Sequence, residues 1–116
     1  MTTASLRAPA GFEPVTTLTD LPPGELRRAV LADGTAVCLA NHDGRVFALR
    51  DLCTHAAFPL SAGYLLPSGA VECGWHGAQF DCASGATCRG PAGDAVITYD
   101  TLVEDGRIYV RTVPRS

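Results

Sequence analysis

The sequence predicts an all-β fold, a sandwich or barrel of short antiparallel strands. Three observations carry that expectation. Apolar residues alternate with a period of two through several short runs, Asp-Gly turns join the runs, and no segment holds a sustained helical stripe. Residues 1–11 are rich in Ala, Thr and Pro and are expected to be disordered. Residues 12–18 read as the first strand, followed by a turn at Leu21-Pro22-Pro23-Gly24. Residues 26–31, 35–41 and 45–51 follow as strands. Asp33-Gly34 and Asp43-Gly44 join them, supplying residues that tolerate positive φ. Within 45–51, Val46 and Ala48 on one face and Phe47 and Leu49 on the other predict a strand buried on both sides. Pro67-Ser68-Gly69 turns the chain into a strand at 70–73. Residues 96–103 and 107–113, joined at Asp105-Gly106, close the fold as a hairpin. At most one helical turn is expected, near the second half of the loop region that lies between these groups of strands.

Composition narrows the function classes. The chain of 116 residues is the size of one domain, large enough for a core. Its net charge of –3 makes nucleic acid and anionic membrane poor partners. No apolar run reaches the length of a membrane span, and the N-terminus lacks a charged segment followed by an apolar one. Arg27-Arg28 runs into a turn instead of an apolar stretch, so it is not read as an export signal, and a cytoplasmic protein is expected. Five cysteines, an odd number, argue against a disulfide framework. Cys38 sits in a strand-like run and is expected to pack as a small hydrophobe. Cys82 and Cys88 flank Ser84-Gly85 and can face each other across a hairpin, yet all three are expected to be free thiols. His42, in a His42-Asp43-Gly44 turn, is expected to be solvated and not a ligand.

Two short pairs stand apart from this pattern: Cys53-Thr54-His55 and Cys73-Gly74-Trp75-His76, with seventeen residues between His55 and Cys73. Two thiolates and two imidazoles can hold metal in two ways. They can surround one zinc ion, although structural zinc sites usually pair like ligands as Cys-x2-4-Cys and His-x3-5-His. Alternatively they can hold a [2Fe–2S] cluster, both thiolates on one iron and both imidazoles on the other. Each mixed pair then gives one ligand to each iron.

In these residues the chain resembles the Rieske-type ferredoxins, whose pattern is Cys-x-His, a gap, then Cys-x2-His-Gly. The likeness runs through C-T-H-A-A-F-P-L-S-A-G-Y (53–64) and V-E-C-G-W-H-G-A-Q-F-D (71–81). It continues through Ser84-Gly85, Gly90-Pro91-Ala92, V-I-T-Y-D (96–100) and E-D-G-R-I-Y-V (104–110), covering nearly everything beyond residue 12. The resemblance implies a Rieske fold: an antiparallel β-sandwich base, with residues 52–93 of a single 12–116 domain inserted as a small cluster-binding cap. It implies that Cys53, His55, Cys73 and His76 bind one [2Fe–2S] cluster, with a third loop at Gly90-Pro91-Ala92 covering it. Gly74 and Gly77 are expected to free backbone amides toward sulfur. Trp75 and Phe58 either shield the cluster or fill the cap core.

The same resemblance implies an electron carrier and not an enzyme. Two thiolates cancel the two positive charges of an oxidised cluster core, and the neutral cluster accepts an electron more readily than a four-cysteine one. High-potential relatives add a disulfide and a serine beside the cluster. Phe58, Trp75 and Ala78 stand at the matching positions and supply neither, so a midpoint at the low end of the Rieske range, about –150 mV, is expected. The expected partners are a flavin-dependent reductase and a terminal oxygenase, as in bacterial systems that dihydroxylate aromatic rings. They would meet an apolar collar of Ala56, Ala57, Phe58, Pro59, Gly77 and Pro91 around the exposed histidine edges. The chain is not itself the oxygenase, which needs a further two histidines and a carboxylate, and only His42 remains. The alternatives are a small Rieske-like subunit of an assimilatory nitrite reductase and a zinc-stabilised binding module.

Overall fold

Side chains alternate across a strand, and in this chain both faces of the central strands are apolar. A computed structural model describes residues 11–54, 58–74, 77–89 and 94–115. At its centre β2 (Leu26–Val30), β3 (Ala36–His42), β4 (Arg45–Arg50) and β9 (Thr98–Tyr99) form an antiparallel sheet in the order β2-β3-β4-β9. Along β3, Val37 and Leu39 join one buried cluster while Cys38 and Ala40 join another. β4 divides the same way, with Val46 and Ala48 to one side and Leu49, backed by Phe47, to the other.

The first face packs against a sheet of β1 (Phe12–Thr17), β10 (Thr101–Glu104) and β11 (Arg107–Arg111), ordered β1-β11-β10. Ile108 and Val110 of β11 meet Val37, Leu39, Val46 and Ala48 there. Pro14 has no N–H to give a ladder, which suits it to the edge strand β1, and the register slips between Pro14 and Thr16. That bulge leaves Val15 packed against the cluster.

The second face carries the part of the chain between β4 and β9. Here β5 (Tyr64–Leu65), β6 (Ala70–Glu72), β7 (Gln79–Asp81) and β8 (Thr87–Arg89) form a small meander in sequence order. Val71 and Phe80 from this cap sheet close on Cys38, Ala40 and Leu49.

Turn chemistry fixes the registers. Asp43 and Gly44 take φ of 54° and 93°, and Asp105 and Gly106 take 52° and 77°, the paired positive values of a tight hairpin turn. At Asp33-Gly34 only the glycine goes positive. There the Asp33 side chain instead accepts the Thr35 N–H at 2.9 Å.

The structure corrects several sequence expectations. The run 12–18 stops at Thr17, because Leu18–Asp20 forms a 3-10 turn. The expected single strand 96–103 is two. Thr98–Tyr99 pairs with β4 and Thr101–Glu104 pairs with β11, and the chain changes sheets at Asp100. Asp100 there meets Arg111 at 3.7 Å and Arg115 at 3.3 Å. The helical turn of the ligand region is at Leu60–Ala62, between the two Cys–His pairs and not in the second half of that region. β5 is not anticipated by the sequence, and β7 and β8 are foreshadowed only as a hairpin about Ser84-Gly85 without bounds, being two or three residues long and too short to show a period. Nearly all of the 1–11 segment lies outside the described residues.

Leu39 and Leu49 are both fully buried, one on each face of the central sheet. Leu39→Ala and Leu49→Ala are each expected to cost about 2–5 kcal/mol in urea unfolding. A loss below about 1 kcal/mol at either site would refute burial of that face.

Candidate metal centre

Cys53 follows β4 and Cys73 follows β6. Their side chains, on residues only 2% and 1% exposed, share the apolar cluster between the central and cap sheets. Both loops close in the same manner. The Cys53 N–H donates to the Phe58 carbonyl at 2.9 Å, and the Cys73 N–H donates to the Ala78 carbonyl at 2.7 Å. Each bond reaches five residues ahead, so two equal loops leave the core from two buried sulfurs. His55 and His76 belong to these loops but lie, with Ala56, Ala57 and Trp75, outside the described residues.

Side chains fasten the neck of each loop. At the first, the Asp51 carboxylate accepts the Ser61 N–H at 2.7 Å, the Ser61 hydroxyl at 2.6 Å and Arg28 Nη1 at 2.9 Å. Ser61 lies in the 3-10 turn just beyond the loop, so one carboxylate ties together the two ends of the chain carrying Cys53 and His55. At the second, Gln79 donates to Glu72 at 3.1 Å across the β6–β7 pair that flanks Cys73. Glycines let the two loops approach each other. A Cβ on Gly63 would run into the backbone carbonyl of Glu72, and one on Gly74 would stand 3.1 Å from the Phe58 ring. Gly77 takes φ +71° as the second loop returns to Ala78. Phe58 packs against the core cluster, so it fills the cap interior.

A third segment meets the first loop. The hydroxyls of Thr54 and Thr87 both donate to the Asp94 carbonyl, at 2.7 and 3.1 Å. Asp94 is thereby fixed between the residue inside the first Cys–His pair and strand β8. Gly90, Pro91 and Ala92, expected to form the covering loop, lie outside the described residues. Of the expected collar, Phe58, Pro59 and Gly77 are described and are half-buried.

The other candidates fall elsewhere. Cys82 is buried and Cys88 exposed, so the two do not face each other across the β7–β8 hairpin. Both are free thiols, as is Cys38. Burial pushes the Cys38 thiol far up. It also pushes Cys82 up to about 11, with the Asp81 carboxylate adding to the shift. Neither is disposed to ligate as thiolate. His42 is not simply solvated. Its Nε2 donates to the Pro67 carbonyl at 3.1 Å, and its ring lies over Gly69, joining the central sheet to the cap turn.

The donor chemistry suits a neutral metal group. Two thiolates in an apolar cluster call for positive charge beside them. A [2Fe–2S] core brings two positive charges to cancel them, and two neutral imidazoles add none. Sequence reasoning missed Asp51, Ser61 and Arg28. The contacts that unite them span 10 and 23 residues, and no local pattern announces them.

Comparison with known proteins agrees with this chemistry. A family model of the Rieske [2Fe-2S] domain matches residues 12–100. The 3-phenylpropionate/cinnamic acid dioxygenase ferredoxin subunit of Photorhabdus laumondii is 38% identical over 96 residues, 83% of this chain and 90% of that protein. The ferredoxin component of the p-cumate 2,3-dioxygenase system of Pseudomonas putida is 34% identical over 91 residues, 78% of this chain and 77% of that protein. Among solved structures, the Sphingomonas yanoikuyae B1 ferredoxin superposes with a TM-score of 0.81 at 30% identity. The match covers 87% of this chain and 98% of that one.

Gly63→Ala is expected to push the Glu72 backbone away and displace Cys73, with a loss of more than about 2 kcal/mol in denaturant unfolding. A stability equal to the unsubstituted protein would show that the two loops do not meet there. Thiol alkylation of the folded protein is expected to mark Cys88 well before Cys38 or Cys82. Because burial raises Cys82 above its ordinary value of 9.0, its contribution to stability is complete below about pH 9 and is lost as pH rises through about 11. A pH series of unfolding curves that stays flat over that window would contradict it.

Proposed function

The chain belongs to the Rieske [2Fe-2S] domain family, and from that premise we propose that it is a low-potential ferredoxin carrying single electrons from a flavin-dependent reductase to a terminal oxygenase. The observation that carries the proposal is the pair of matched loops, each starting from a buried cysteine and closed by the same hydrogen bond. In this reading Cys53 and Cys73 hold one iron and His55 and His76 the other, and the bound cluster supplies the one-electron step. Residues 12–116 then act as one domain, with 52–93 as its cluster-binding cap.

The remaining residues orient and shield. Asp51 and Ser61 fix the first loop, Glu72 and Gln79 fix the second, and Thr54 joins the first loop to the segment at Asp94. Phe58 and Leu60 pack with the cluster that holds Cys53 and Cys73 and would keep water from the sulfurs. Electrons would then enter and leave through His55 and His76, over a small apolar collar of the kind that brief redox encounters use. Relatives named as ferredoxin components of dioxygenase systems support the carrier over a nitrite reductase subunit. No helix among the described residues is long and apolar enough to cross a membrane, which is compatible with a cytoplasmic carrier.

Reductive titration followed by electron paramagnetic resonance tests the proposal. A reversible one-electron Rieske signal is expected, with a midpoint near the low end of the family range, about –150 mV. A midpoint well above zero would refute the low-potential assignment, and a colourless zinc protein would refute electron transfer altogether. His55→Ala and His76→Ala are each expected to abolish the native signal. Its survival in either variant would overturn the ligand assignment.

A further inference from the structure

Arg28 and Asp51 form an ion pair of unequal ends. The Asp51 side chain is wholly buried, whereas the Arg28 side chain is 52% exposed, at 2.9 Å. Asp51 precedes Cys53 by two residues, a span of at most about 7 Å along the chain. Its carboxylate is held on the cap side by both donors of Ser61, while its N–H donates to the Ala36 carbonyl of the central sheet. The negative charge is therefore dry, immobile and close to a ligand. The positive charge that answers it stands on β2, outside the cap and partly screened by water.

We propose that this pair sets the reduction potential of the metal centre, the buried Asp51 carboxylate holding it down and the Arg28 guanidinium offsetting part of that effect. The inference rests on the cluster-binding reading above. Uptake of one electron adds a negative charge to the centre, and a fixed carboxylate nearby opposes that addition. Because the guanidinium is half-exposed and screened by water while the carboxylate is buried, the pair does not cancel and its own net contribution is negative. Removing either charge breaks the same ion pair but changes the field in opposite directions. This separates an electrostatic role from a merely structural one.

The test compares midpoint potentials of the holoprotein with those of Arg28→Gln, Arg28→Lys and Asp51→Asn, each loaded with its cluster. Arg28→Gln is expected to lower the midpoint, shifting the reduction equilibrium by roughly threefold to tenfold. Arg28→Lys, which restores the charge, is expected to lie close to the unsubstituted protein, and Asp51→Asn is expected to raise the midpoint. Should Asp51→Asn fail to fold, the Gln and Lys variants at the half-exposed Arg28 still decide. The inference is overturned if Arg28→Gln leaves the midpoint unchanged or raises it, or if Gln and Lys lower it equally. It is also overturned if a folded Asp51→Asn moves in the same direction as Arg28→Gln. Absence of a Rieske signal from the unsubstituted protein would refute instead the cluster-binding reading beneath it.

Discussion

Burial of the central sheet on both faces is the constraint from which the rest of this structure follows. Antiparallel sheets often keep one face in water. Here β3 and β4 have no polar face to offer. Val37, Leu39, Val46 and Ala48 require one cover, and Cys38, Ala40 and Leu49 require another. The β1-β11-β10 sheet supplies the first. The second comes from a segment whose strands are two or three residues long and whose buried apolar residues, among those described, join the layer it shares with the sheet. Its described apolar residues complete the core of the central sheet. Cys53 and Cys73 are members of that shared layer, so the two proposed ligand cysteines are rooted in the same apolar contact that holds the two parts together.

Polar fastenings then convert a hydrophobic contact, which has no direction, into defined loop geometry. Asp51 is the principal one, joining β2, the exit of β4 and the turn after the first Cys–His pair through a single carboxylate. A buried carboxylate is costly unless its oxygens are satisfied. Here both are, by the guanidinium and by two donors from one serine. His42 over Gly69 and Arg115 on the Ala83 carbonyl add further ties between base and cap, at 3.1 and 3.0 Å to their respective acceptors. Gly85 permits another, since any Cβ there would meet the Val96 carbonyl where the chain returns to β9.

These features suit an electron carrier. Transfer of one electron asks for no substrate pocket and no acid or base. It asks that the centre keep its geometry in both charge states. Two equal loops with sulfurs sunk in a dry core and necks held by side-chain bonds meet that demand, and relatives named as ferredoxin components share enough sequence to place this chain among them. The odd cysteines stay outside the chemistry for reasons of solvation. Cys38 and Cys82 are buried as neutral thiols, and Cys88 sits exposed on the cap hairpin.

The sequence by itself determined the fold class, most strands of the base and the spacing of the Cys–His pairs. Those depend on local physics: period-two alternation in 45–51, positive-φ residues at Asp43-Gly44 and Asp105-Gly106, and Cys–His pairs that are chemically distinctive wherever they occur. Only the tertiary structure decided what unites distant residues. It split 96–103 between two sheets, because Asp100 marks where the chain leaves one ladder for another. It formed β5, β7 and β8 from segments too short to carry a period. It turned Arg28, which in sequence is half of an incidental arginine pair, into the counter-ion of a buried carboxylate two residues before Cys53. A charge buried among apolar neighbours is visible only when the chain has brought its partner from 23 residues away.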